Sequence, residues 1–176
     1  MDRNPQIKHM EDFCQLTERL TERKYFGSYE QIAKKIRLYS STGGVDAIRF
    51  FEIVLYSFLI GNSDMHLKNF SLLREDNAAW HLADAYDLLP VKLLLPEDSE
   101  DMALTLNGKK AKIGRNDFIE FGKTIGLNER QVSRAVSRII DALAANIDGV
   151  LAESQLTDEF ADRFNKLVKR NIGKMC

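Results

Sequence analysis

The stretch "VDAIRFFEIVLYSFLIG", Val45 to Gly61, limits the fold more than any other part of the chain. A helix over about Val45 to Ile60 is apolar on nearly every face, and such a helix must be enclosed by the rest of the protein. Asp46, Arg49 and Glu52 interrupt the run, and it falls short of the roughly 20 apolar residues that a bilayer span needs. It reads as a central core helix, and no membrane association is expected. A chain of 176 residues can bury one good-sized core, so residues 1–176 read as one domain.

The flanking sequence supplies what wraps that helix. "SYEQIAKKIRLYS" opens with Ser28 and Gln31 in capping-box register, and "NERQVSRAVSRIIDALAANI" does the same with Asn128 and Gln131. "NDFIEFGKTIG" and "TDEFADRFNKLVKRN" carry helical patterns, and Met10, Phe13, Leu16 and Leu20 predict another short helix in "HMEDFCQLTERL". Between them, "FSLLRE" and "AAWHLAD" read as two strands of a β-hairpin turning at Asp76-Asn77, and "MALTLNGKK" predicts a third strand or small ribbon ending in Asn-Gly. The fold class expected is mainly α (α+β): a helical bundle with a small β-hairpin insert.

Charge and cysteines narrow the function classes. Twenty-five basic against 26 acidic side chains create no global field for nucleic acid or anionic membrane, and direct nucleic-acid binding is not expected. Two cysteines, Cys14 and Cys176, make neither a disulfide framework nor a metal-ligand spacing. The start, "MDRNPQIKHMEDFCQ", lacks the pattern of a signal peptide, and a cytoplasmic location is expected.

Directly after the central helix, "GNSDMHLKNFSLL" places an acid, an imidazole, an ammonium and an amide within a few positions. Asp64 and Asn69 form D-x-x-x-x-N. In phosphoryl-transfer enzymes that spacing lets the acid accept the proton of an attacking hydroxyl while the amide coordinates Mg²⁺. By itself the spacing is weak evidence, since a turn acid and a solvated amide give it too. The hairpin strengthens it: two strands and a tight turn would return "DAYD" to the side of Asn69, so that Asp84 or Asp87 meets Asp64. Lys68 could bring positive charge to a transferring phosphoryl group, and His66 could bond a phosphate or brace the loop. A surface lysine and a structural histidine are the plain alternatives.

"GNSDMHLKNFSLL", the later "YDLLPV" and the upstream "HMEDFCQL" together resemble the C-terminal region of HipA-family serine/threonine kinases, the toxins of bacterial toxin–antitoxin pairs. The resemblance spans most of the chain and implies a protein-kinase-like C-terminal lobe. It implies Asp64 as catalytic proton acceptor and His66, Leu67, Lys68, Asn69, Tyr86 and Asp87 as residues that bind ATP. It assigns Mg²⁺ to Asn69 and Asp87, and so prefers Asp87 to Asp84. An antitoxin protein as partner and a protein substrate, an aminoacyl-tRNA synthetase, are also implied.

Two departures accompany the resemblance. Asn62 stands where kinases carry a histidine two residues before the catalytic acid, and Tyr86-Asp87-Leu88 replaces the usual DFG triplet. No glycine-rich phosphate loop or strand-borne lysine is evident, "STGG" being the only glycine pair. The expectation is a C-lobe alone, inactive without an N-lobe, which a separate polypeptide could supply.

Other readings compete. "IEFGKTIGLNERQVSRAVSRI" has the outline of a DNA-binding helix-turn-helix, with Gly126 in the turn, Val132 buried, and Gln131, Ser133, Arg134 and Arg138 facing DNA. A phosphohydrolase metal site of Asp64, His66, His81 and Asp84 is disfavoured because His81 and Asp84 would point to opposite faces of a strand. A non-catalytic, partner-binding module would retain the same residues as the kinase.

Overall fold

The computed structural model describes residues 8–75 and 78–176. Its elements run β1 (Lys8–Asp12), α1 (Phe13–Leu16), a 3₁₀ turn (Thr21–Arg23), α2 (Tyr29–Tyr39), α3 (Gly43–Ile60) and a second 3₁₀ turn (Leu67–Asn69). They continue as β2 (Ser71–Glu75), β3 (His81–Leu82), α4 (Val91–Leu94), α5 (Arg115–Thr124), α6 (Glu129–Glu153) and α7 (Asp158–Gly173). The architecture is mostly helical around one small antiparallel sheet, of the class the sequence predicts. No helix among the described residues is long and apolar enough to cross a membrane.

α3 is the axis of the molecule. Phe50, Phe51, Val54, Leu55, Phe58 and Leu59 are buried, and Phe118 and Phe121 of α5 meet the three phenylalanines edge-on, tilted or stacked at ring separations of 5.3 to 6.3 Å. Each polar interruption of the apolar run has a distant partner. Asp46 accepts the Leu82 backbone N–H at 2.9 Å, Arg49 pairs with Asp84 at 2.8 Å, and Glu52 pairs with Arg138 of α6. The three charges therefore orient β3 and α6 on the helix that would otherwise be featureless grease.

Local signals set the helix ends. Ser28 accepts the Gln31 N–H at 3.2 Å at the start of α2, and Asn128 and Gln131 form a reciprocal capping box at 2.9 Å each. α3 stops at Gly61, whose φ of +74° is a left-handed cap that costs glycine little. A Cβ there would also stand 2.6 Å from Leu167 of α7, so the same glycine lets α7 close on the end of the central helix. Asn171 completes that junction by donating to the carbonyls of Phe58 and Leu59 at 3.0 and 3.3 Å.

The sheet corrects one prediction. Residues 9–12, expected to begin a helix, belong with Lys8 to β1, which pairs antiparallel with β2 in the register Lys8↔Glu75 through Asp12↔Ser71. Met10 is about half exposed, so it is not part of a buried helical stripe. Only Phe13–Leu16 is α-helical, capped by Asp12. The predicted hairpin strands are β2 and β3, paired Leu72↔Leu82 and Leu73↔His81; its turn at Asp76-Asn77 lies outside the described residues. The third predicted strand is reduced to two isolated bridges, Ser28↔Thr105 and Leu106↔Lys109. The second closes over Asn107-Gly108, where φ is positive at both residues as a tight two-residue turn requires.

Candidate active site

The loop after Gly61 is buried along much of its length and held by backbone-directed bonds. The phenol of Tyr29, itself fully buried, donates to the Met65 carbonyl at 2.9 Å, and the Leu67 N–H donates to the Lys24 carbonyl at 3.2 Å. Met65 and Leu67 sink their side chains into the core. The loop is thus pulled inward on both sides of Asp64, which is left at its surface, intermediate in exposure. The Tyr25 phenol donates to Asp64 Oδ1 at 2.8 Å. Burial and the Asp64 carboxylate push that phenol up to about 12, so it remains a donor throughout the neutral range.

β2 and β3 carry the chain away from Asn69 and return it at Tyr86-Asp87, as the hairpin predicts. Asn69 Nδ2 donates to Asp87 Oδ2 at 2.5 Å, while Asn69 Oδ1 accepts the His66 backbone N–H at 3.0 Å. Asp87 adopts φ of +57°, a left-handed conformation uncommon for a residue with a side chain. Asn62 holds it there: its Nδ2 donates to the Asp87 carbonyl at 2.8 Å, and its Oδ1 accepts the Asp64 N–H at 3.3 Å. Tyr86 clamps the same junction, its hydroxyl donating to the Lys68 carbonyl at 2.7 Å and lying 2.6 Å from Ser71 Oγ.

The remaining predicted residues have defined places. Lys68 forms an ion pair with Asp12 at 2.6 Å, which raises its pKa and ties the loop to the β1–α1 junction. His66 is buried with its ring edge-on to Tyr25 at 5.1 Å. Desolvation and the nearby Lys24 lower its pKa, and its Nδ1 has no hydrogen-bond partner among the described residues. Leu67 is entirely enclosed, which leaves only its backbone for any ligand. Asp84 sits on the rim, paired with Arg49 and almost wholly exposed.

Among the described residues no three of His, Cys, Asp and Glu gather at metal-binding range, so the Asp64, His66, His81, Asp84 centre does not form. Asp87 offers a carboxylate, and Asn69, whose Nδ2 faces Asp87 while its Oδ1 accepts the His66 N–H, would supply an amide oxygen to the same ion once its amide group turns over; these hard donors fit Mg²⁺ completed by phosphate oxygens rather than a cage made wholly of protein. The helix-turn-helix outline is present as α5, Gly126 and α6, with Val132 packed so close to Gly122 that a Cβ there would lie 2.3 Å from it. Two of its four outward residues are otherwise engaged: Gln131 caps α6 and Arg138 pairs with Glu52.

Three site residues escaped sequence reasoning in their roles: Tyr25, Asn62 and Ser71. Asn62 carried a signal, since it replaced an expected histidine, but its bond to Asp87 spans 25 residues and only the folded chain displays it.

The sequence profile of the HipA-like C-terminal domain matches residues 1–147. The chain belongs to the HipA-like C-terminal domain family. A relative from Haemophilus influenzae named "Putative kinase" is 26% identical over 167 residues, covering 86% of this chain and 49% of its own length. The "Putative kinase Y4dM" of Sinorhizobium fredii is 31% identical over 147 residues, covering 82% of this chain and 36% of its own. This HipA-like chain thus spans half or less of the length of the curated relatives it matches. Among solved structures, a chain of the Shewanella oneidensis MR-1 toxin–antitoxin complex of HipA, HipB and operator DNA superposes with TM-score 0.74 at 18% identity, over 96% of this chain and 43% of that one. The Helicobacter pylori proinflammatory kinase CtkA superposes with TM-score 0.58 at 16% identity, over 98% of this chain and 70% of that one. At such identities the superpositions establish the kinase-like fold.

Proposed function

We propose that this HipA-like domain is the catalytic lobe of a Mg-ATP-dependent protein serine/threonine kinase. The observation that carries the reading is the closure of Asn69 on Asp87 at 2.5 Å, with Asp64 joined to the same pair through Asn62. Bound Mg²⁺ supplies charge neutralisation at the phosphates, and Asn69 and Asp87 are the residues that would hold it. Asp64 orients a substrate hydroxyl and accepts its proton. The work is positioning and electrostatics, which suits a carboxylate fixed by backbone contacts on a rigid helix end. The Tyr25 phenol holds Asp64 by Oδ1, which leaves Oδ2 to accept the proton of a substrate hydroxyl. His66, neutral at pH 7, braces the loop from beneath, and Lys68 serves the loop through Asp12.

Kinases grip the nucleotide phosphates from two lobes. This lobe contributes the acid, the amide and the second acid, and its activity depends on phosphate-gripping residues outside it. A HipB-like antitoxin as partner, a cytoplasmic setting and a protein substrate such as an aminoacyl-tRNA synthetase belong to the same proposal.

Titration calorimetry of the chain with Mg-ATP tests it. Heat of binding that vanishes in Asp87→Ala and Asn69→Ala supports the reading. Binding that survives both substitutions refutes the assignment of those residues, and a partner-binding module without catalysis becomes the better account.

A further inference from the structure

α7 presents Arg163, Lys166 and Arg170 at intervals of three and four, on one face, and Lys174 extends that row just past its end. The row forms one wall of a cleft of about 590 Å³. The other wall is α4 with the chain that follows it, including Lys92, Asp98 and Asp101. Five cations therefore face two carboxylates, in a protein whose overall charge is −1.

The two carboxylates are already used inside the cleft. Asp98 accepts Ser63 Oγ at 2.7 Å and the Glu100 N–H at 2.9 Å, and Asp101 pairs with Lys174 at 3.3 Å. Lys92 donates to the Asp98 carbonyl at 2.9 Å, and Arg163 to the Leu93 carbonyl at 3.1 Å. Lys166 has only an exposed pairing with Asp162, one turn back on its own helix, which water and salt weaken. Arg170 has no hydrogen-bond or ion-pair partner among the described residues. The unspent charge of the cleft is positive.

The cleft also adjoins the catalytic loop. Leu167, in the middle of the basic row, packs on Gly61; the Lys92 N–H donates to the Gly61 carbonyl at 3.0 Å; and Ser63, bonded to Asp98, immediately precedes Asp64. We propose that this cleft docks an acidic stretch of the protein segment whose hydroxyl is presented to Asp64, with Glu or Asp side chains meeting Lys166 and Arg170. The identity of the occupant as substrate rests on the phosphoryl-transfer reading. A peptide suits the cleft better than nucleic acid, because Asp98 and Asp101 interrupt the positive wall where a continuous phosphate backbone would have to pass.

Fluorescence anisotropy tests the docking without nucleotide. Three labelled serine peptides, flanked by Glu, by Gln or by Lys, are titrated with the chain, alongside a labelled random DNA duplex. The Glu peptide should bind about tenfold or more tighter than the Gln peptide, and the Lys peptide should not bind. Lys166→Glu/Arg170→Glu should remove the preference, with the circular dichroism spectrum unchanged, while Lys34→Glu on α2 and Asp87→Ala retain it. Equal binding of the Glu and Gln peptides, or a preference that survives the double substitution, overturns the proposal. Tighter binding of the duplex, lost in the double variant, overturns it in favour of a nucleic-acid surface. If the Glu peptide binds as expected and Mg-ATP binding survives both Asp87→Ala and Asn69→Ala, acidic docking stands and the phosphoryl-transfer reading falls.

Discussion

Asn62 Nδ2 donates to the backbone carbonyl of Asp87 at 2.8 Å, and the same side chain accepts the Asp64 N–H through its oxygen. One buried amide thereby fixes the loop that carries Asp64 and the left-handed turn that carries Asp87. A carboxamide can do this because it offers a donor and an acceptor at one end of a short, stiff side chain.

Asn62→Ala removes both bonds from a buried position. We expect a loss of about 1–3 kcal/mol in unfolding free energy, the usual cost of leaving buried partners unmatched. Urea denaturation measures it. Asn62→Ala should also weaken Mg-ATP binding although Asn62 is assigned no contact with the nucleotide. Unchanged stability would mean that the brace is not energetically coupled to the site.

Asp46 is a second hidden support. It is buried and accepts Ser40 Oγ at 2.6 Å, Thr42 Oγ1 at 3.2 Å and the Leu82 N–H at 2.9 Å, so that it stitches β3 to α3. Asp46→Ala strands these donors, and a loss of about 2–4 kcal/mol is expected. Hydrogen exchange should show the Leu82 amide losing protection beyond the global change.

His66 gives the protein a pH dependence of known sign. Burial, first, and the positive charge of Lys24, second, lower its pKa in the folded state, while Asp64 and Asp87 oppose them. The unfolded chain takes up a proton near the ordinary value of about 6.5 and the folded chain only at lower pH. This contribution to stability is therefore complete above 6.5 and is lost as pH falls from there through the folded-state pKa. NMR titration of the ring should give a midpoint below 6.5, and His66→Gln should reduce the fall in urea midpoint between about pH 7 and pH 5. A midpoint at or above 6.5 would contradict the burial account.

What was legible in the sequence follows the range of the interactions. Ser28 and Asn128 act within a few residues, and the α2 and α6 starts they predict are found within a residue or two, while the α3 end expected from its apolar run is found at Ile60. The return of the Asp84–Asp87 stretch to Asn69 was legible because a hairpin is a local device that brings the chain back to its origin, whereas the choice of Asp87 over Asp84 came from the family resemblance. β1 was not legible, because its partner β2 lies some sixty residues ahead and the pattern of Phe13 and Leu16 is shared by a helix that lasts a single turn. Asp46, Arg49 and Glu52 looked like mere interruptions of an apolar run; their partners on β3, in the Asp84 segment and on α6 emerge only on folding.

The central claim is that Asn69 and Asp87 hold one metal ion together with a nucleotide. Paramagnetic broadening by Mn-ATP, read in the amide spectrum of the chain, tests it most directly. The account predicts that the Asn69 side-chain NH₂ and the Asp87 backbone N–H fade first, and that Asp87→Ala abolishes the effect at both. Broadening centred elsewhere, or undiminished in Asp87→Ala, would contradict it.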